Sequence, residues 1–156
     1  RILVLIGGSD VHNRGPEIAT LLAQQGYAVD LVEGPAVSRP YPSIWESPNI
    51  TLWRSPKEIG LLMRQCAWAV VNGGGSMLEL LCLGKAVVVI PQTREEEKLA
   101  MIVQQAGAVI GIGLESMAYL KSMDCQQIGV RARRLVDGCC TQRIIKIVNR
   151  LLDGWV

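Results

Sequence analysis

Short apolar runs, many of them β-branched, alternate along the chain with longer segments whose apolar positions recur at helical spacing, a pattern that predicts βαβ units and a parallel sheet. The strand candidates are Ile2 to Ile6, Ala28 to Val32, Ile50 to Trp53, Trp68 to Asn72, Ala86 to Ile90 and Val109 to Ile112. These runs are continuous rather than alternating, as expected of strands covered on both faces. Helices are predicted over Pro16 to Gln25, Pro56 to Cys66, Ser76 to Leu83, Glu95 to Ala106, and in a terminal set from about Ser116 to Leu152. Ser55, Pro56 and Glu58 together read as an N-cap, a first-turn proline and a capping-box acid, while Gly26, Gly84 and Gly107 each follow a helix as left-handed caps. The expected fold class is α/β: a doubly wound, Rossmann-like parallel sheet of about six strands with helices on both faces. The segment from Glu33 to Asn49 holds Pro35, Pro40, Pro42 and Pro48 and reads as an irregular connection.

The 156 residues suit one domain, and 49% hydrophobic content with 19% charged supplies a core. A formal charge of +2 gives no dense basic stripe, so nucleic acid is not an expected partner. Arg131, Arg133, Arg134, Arg143, Lys146 and Arg150 alternate with Leu135, Val136, Ile144, Ile145, Ile147 and Val148 and read as the solvated face of terminal helices, in preference to a membrane-binding surface. Cys66, Cys82, Cys125, Cys139 and Cys140 show no metal-ligand spacing and are expected as buried, reduced thiols of a cytoplasmic domain. The chain enters its first strand directly at Arg1, which suggests a domain with further sequence upstream.

Composition says nothing about chemistry; the glycines do. In a doubly wound sheet, ligands bind beyond the carboxyl ends of the strands where strand order reverses. With the order 3-2-1-4-5-6, the loops after the first and fourth strands face each other there. Those loops carry the only two glycine clusters, Gly7-Gly8-Ser9-Asp10 and Gly73-Gly74-Gly75-Ser76. Glycine lets main-chain N–H groups come close to a ligand, and the helix that follows the second cluster adds its unpaired N–H groups, which suits a pyrophosphate. The G-x-G-x-x-G fingerprint is absent after the first strand and Ser76-Met77 replaces the Gly-Lys-Ser/Thr of a Walker loop, so neither a dinucleotide cofactor nor a P-loop is expected. Glu79 stands three residues after Ser76, where it serves either as a carboxylate for ribose hydroxyls or as the acid of a capping box with Ser76.

The stretch Gly73-Gly74-Gly75-Ser76-Met77-Leu78-Glu79-Leu80, followed by Leu83-Gly84-Lys85-Ala86 and Val88-Val89-Ile90-Pro91-Gln92, resembles the nucleotide-sugar-binding C-terminal domain of MurG-like GT-B proteins. Within that group it is most similar to the UDP-sugar hydrolases of pseudaminic acid biosynthesis and the SpsG-like spore-coat polysaccharide proteins. Gly7-Gly8-Ser9-Asp10 with Asn13 matches their first C-terminal-domain loop, and the resemblance runs from Ile2 to about Gly113. It implies that Gly8 and Ser9 contact the diphosphate of a UDP-sugar and that Gly74, Gly75 and Ser76 donate to the same group. It further implies that Glu79 binds the ribose, that main-chain atoms near Trp53, Arg54 and Ser55 lie beside the uracil, and that Gln92 lies at the sugar end. One departure stands out: where relatives carry an Asn-Gln pair that holds the sugar, this chain reads Thr93-Arg94-Glu95-Glu96-Glu97. Those acids either leave the sugar in doubt or begin a helix whose dipole favours them.

The resemblance implies one half of a two-domain enzyme, with an N-terminal GT-B domain, in cis or in trans, supplying a catalytic histidine. No metal or other cofactor is expected. His12 is the only histidine and a minor candidate for activating water. Three readings follow: half of a nucleotide-sugar hydrolase, the donor-binding half of a glycosyltransferase, or a non-catalytic Rossmann-like binding module.

Overall fold

In the computed structural model, residues 1–42 and 47–153 are described; residues 43–46, part of the expected irregular connection, and 154–156 lie outside the described residues. Six strands form one parallel sheet, β1 (Ile2–Leu5), β2 (Val29–Glu33), β3 (Ile50–Arg54), β4 (Trp68–Val71), β5 (Val87–Val89) and β6 (Gly111–Ile112), in the order β3-β2-β1-β4-β5-β6. The predicted order is the observed one. The last strand is shorter than the run that predicted it, although Val109 and Ile110 are still buried.

The helices are α1 (Arg14–Gln24), α2 (Ile59–Gln65), α3 (Gly75–Cys82), α4 (Arg94–Gln105), α5 (Cys125–Leu135) and α6 (Cys140–Asp153), with a 3-10 helix at Leu114–Ser122. Alternate strand residues feed two cores. Ile2, Val4, Ile6, Val70 and Val88 pack with Ile18 and Leu22 of α1 on one face. Leu3, Leu5, Val71, Val87 and Val89 pack with Met63, Met77, Leu80 and Val103 of α2, α3 and α4 on the other. Both faces of the central strands are therefore dry, which explains their unbroken apolar runs, while β3 at the edge is partly exposed. Gly26, Gly84 and Gly107 do take positive φ, at 87°, 70° and 64°.

Three expectations are corrected. Ser55 does not cap α2: it sits at φ 42° and gives its N–H to Glu33 O at 2.8 Å, extending strand pairing, so the helix starts later, at Ile59 behind Glu58. Among the cysteines only Cys66 is buried; Cys82, Cys125 and Cys139 are partly buried and Cys140 is exposed. Burial pushes the Cys66 thiol above its ordinary pKa. In α6 the basic residues are solvated as expected, but the apolar residues are too, with Ile144, Ile147, Val148 and Leu151 all at least 45% exposed. Among the described residues no helix is long and apolar enough to cross a membrane.

Candidate functional site

β1 and β4 are neighbours, with Leu5 beside Val71, so both glycine loops leave the sheet side by side at its carboxyl edge. A Cβ on Gly7 would lie 3.1 Å from the Asn72 side-chain nitrogen, which shows how nearly the loops touch. Beside them opens a cleft of about 220 Å³ lined by Gly7, Gly8, Gly34, Ser55, Ser76 and Glu79, with Leu5, Val32, Ile59 and Met63 forming apolar wall. The loop after β2 comes in underneath: a Cβ on Gly34 would stand 2.4 Å from Gly8 O, so only glycine permits that approach.

The α-helices that follow β1, β3, β4 and β5 all begin at this edge, and they differ in what fills their N-terminal N–H groups. At α1 the carboxylate of Asp10, 3% exposed, accepts from Arg14 N and Gly15 N at 2.8 Å each and from Tyr41 Oη at 2.6 Å. That cap, unforeseen from the sequence, starts the helix two residues before Pro16. Burial first, then Asp10, pushes the Tyr41 phenol far above its ordinary pKa. At α4, Thr93 accepts from Glu96 N at 3.2 Å. At α3 the N-cap is Gly74 and no side chain caps the end. The seven-residue α2, behind Glu58, has no side-chain cap either, so α2 and α3 are the ones whose N–H groups are open to an anion, and α3 is the one that the glycine loop leads into.

This geometry also removes the capping alternative for Glu79. Ser76 lies inside α3, not at its N-cap, and the Glu79 carboxylate is exposed at the cleft. Gly8, Ser76 and Glu79 thus share one cleft, Gly74 and Gly75 lead into the same helix end, and Ser9 sits next to Gly8 on the loop without lining the cleft. The Trp53 indole turns away, donating to Asp30 Oδ1 at 2.9 Å, and Arg54 pairs with Glu33 while donating to Tyr41 O at 2.9 Å. From that strand end the cleft receives Ser55 and Pro56 instead. His12 is exposed and belongs to another hollow, with Asn13, Ser38 and Arg39, that shares no lining residue with the cleft.

Gln92 spans the crevice. Its amide nitrogen donates to Ile6 O at 2.9 Å and its amide oxygen accepts from Val11 N at 3.0 Å, so both ends are taken up within the protein. Of the acids after it, Glu95 and Glu97 are exposed, whereas Glu96 turns inward and accepts from Asn72 Nδ2, Gly73 N and Gln92 N. The helix-start explanation accounts for Glu95 and Glu97 only. Among the described residues no group of three or more His, Cys, Asp or Glu side chains is gathered to hold a metal.

No family model matches the chain. A curated relative, the spore coat polysaccharide biosynthesis protein SpsG of Bacillus subtilis (strain 168), is 26% identical over 122 residues, covering 70% of this chain and 36% of its own length. Among solved structures, the Streptomyces sp. SF2575 glycosyltransferase SsfS6 in complex with thymidine diphosphate superposes with a TM-score of 0.66 at 19% identity, over 96% of this chain and 41% of that one. The fold is the one found in GT-B glycosyltransferases. The C-terminal CMP-Kdo binding domain of WaaA from Acinetobacter baumannii aligns with a TM-score of 0.57 at 15% identity, over 86% of this chain and 88% of that domain. The chain thus spans about a third of SpsG, while it matches the separate WaaA domain over nearly its whole length.

Proposed function

We propose that this chain is the nucleotide-sugar-binding half of a GT-B-type enzyme, holding a UDP-sugar by its diphosphate and ribose. One observation carries the reading: the uncapped N-terminus of α3 opens beside Gly8, with Glu79 on the same cleft, while the N-termini of α1 and α4 are filled by the protein's own side chains. Gly74, Gly75 and Ser76 supply donors to the diphosphate from one side and Gly8 and Ser9 from the other. Glu79 takes the ribose hydroxyls, and the backbone following Trp53 and Arg54, where Ser55 and Pro56 reach the cleft, flanks the base. A pyrimidine nucleotide agrees with the thymidine diphosphate held by SsfS6 and the CMP-Kdo bound by the WaaA domain.

The reaction is hydrolysis of the sugar–UDP bond in polysaccharide or nonulosonic acid biosynthesis, the reading supported by the relationship to SpsG. Transfer of the sugar to an acceptor is the second reading, favoured by the glycosyltransferase neighbours. In either case the catalytic base comes from an N-terminal domain, in cis or in trans, since His12 faces a separate hollow. The open apolar face of α6 suits contact with such a domain.

Calorimetry with UDP and UDP-N-acetylglucosamine tests the proposal. Saturable binding is expected, weakened in Glu79→Ala by about 1–3 kcal/mol, roughly 5- to 150-fold, because ribose hydroxyls lose their acceptor. No saturable heat from the parent chain would leave only the non-catalytic binding module.

A further inference from the structure

The three groups that face the Glu96 carboxylate are all donors: the Asn72 side-chain amide, Gly73 N at 3.3 Å and Gln92 N at 2.8 Å. The two main-chain N–H groups converge on one oxygen, Oε2, which must accept, whereas the Asn72 amide at Oε1 can turn over to meet either an acceptor or a donor. The contact is close on the other side as well, since a Cβ on Gly73 would fall 2.6 Å from Glu96 O. Gln92, held by Glu96 through its main chain, carries the connection on, its side chain gripping Ile6 O and Val11 N. A continuous path therefore runs from the loop after β4 through the start of α4 to the loop after β1.

We infer that Glu96 is a positioning residue of the nucleotide cleft: through Gln92 it fixes the spacing between the two glycine loops. It does so without offering its carboxylate to ligand. The inference rests on the nucleotide-binding reading for its ligand, but the mechanical link between the loops stands apart from it. The acid that seemed misplaced beside a diphosphate is then explained, because its oxygens are turned onto donors of the protein rather than toward the anion.

The test compares the parent chain with Glu96→Ala, Gln92→Ala and the conservative Glu96→Gln, whose carbonyl still accepts from Gly73 N and Gln92 N while its NH2 meets the turned-over Asn72 amide. UDP affinity is read by calorimetry and the Val11 amide by 1H–15N NMR. Glu96→Ala and Gln92→Ala are expected to weaken UDP by about tenfold, through loss of preorganisation. Glu96→Gln should keep most of the parent's affinity, and the Val11 amide should shift in Glu96→Ala although its hydrogen bond is to Gln92. Affinity within twofold of the parent in both alanine variants, a loss in Glu96→Gln as large as in Glu96→Ala, or a Val11 amide unmoved in Glu96→Ala overturns the inference. If the parent itself binds no UDP, the ligand reading has failed, and the Val11 shift alone decides whether the loops are linked.

Discussion

Replacing Asp10 with alanine removes the acceptor for three donors at once: Arg14 N, Gly15 N and the Tyr41 hydroxyl. Two of these bonds are buried, so water does not replace them. Each stranded buried donor costs about 1–3 kcal/mol, and loss of a helix cap about 1 kcal/mol. These losses overlap, so the expected total is about 3–5 kcal/mol. For a domain of this length that lowers the melting midpoint by about 6–20 °C. Asp10→Asn keeps one acceptor, which best serves the buried Gly15 N and Tyr41 hydroxyl and leaves the part-buried Arg14 N facing its NH2, for about 1–3 kcal/mol. Tyr41→Phe leaves both backbone bonds intact and costs about 1–2 kcal/mol. Urea unfolding of the three single variants and of the Asp10→Ala/Tyr41→Phe double variant measures all of this. The double variant should be less destabilised than the sum of its parts, because both single changes delete the same bond. A cost below about 1 kcal/mol for Asp10→Ala, or strict additivity in the double variant, would refute the assignment of Asp10 as the anchor of α1.

Two further outcomes follow from local chemistry. Tyr41 ionises well above the ordinary 10.0 in the folded chain, so between that value and its raised folded value the unfolded state releases a proton the folded state keeps. Its stabilising contribution is complete below about pH 10 and declines above it, by about 1.4 kcal/mol per pH unit, and alkaline urea titrations should show the decline reduced in Tyr41→Phe. In α5, a Cβ on Gly129 would stand 2.1 Å from Gly84 O. Gly129→Ala should therefore lower stability by about 1–3 kcal/mol despite alanine's better helix propensity; an unchanged or raised thermal midpoint would contradict this packing.

The centre of the sheet was legible because its strands are sealed on both faces, so hydrophobicity alone marks Ile2–Leu5, Trp68–Val71 and Val87–Val89, and their order then brings the two glycine loops together. What escaped was set by contacts distant in sequence. Asp10 looks like one more loop residue until Tyr41, 31 positions later, closes over it. Ser55-Pro56 has the composition of a helix start, but pairing with β2 holds Ser55 and leaves Pro56 on the cleft wall. Glu96 obeys the rule for first-turn acids and still points elsewhere, because Asn72, 24 residues earlier, waits for it. The exposure of α6 could not be read either, since its apolar stripe looks the same whether or not anything in the chain covers it.

That last helix has an energetic consequence. α6 is 14 residues long and buries none of them. Helices of that length are marginal in water when nothing packs against them. Apart from its own ladder, it is fastened near its start by Arg143 reaching Asp137, whose carboxyl is held down to about 2 by that guanidinium. Its amides should therefore exchange with solvent far sooner than those of the sheet, and any surface that settles on Ile144 and Leu151 must meet part of the entropy of winding the helix.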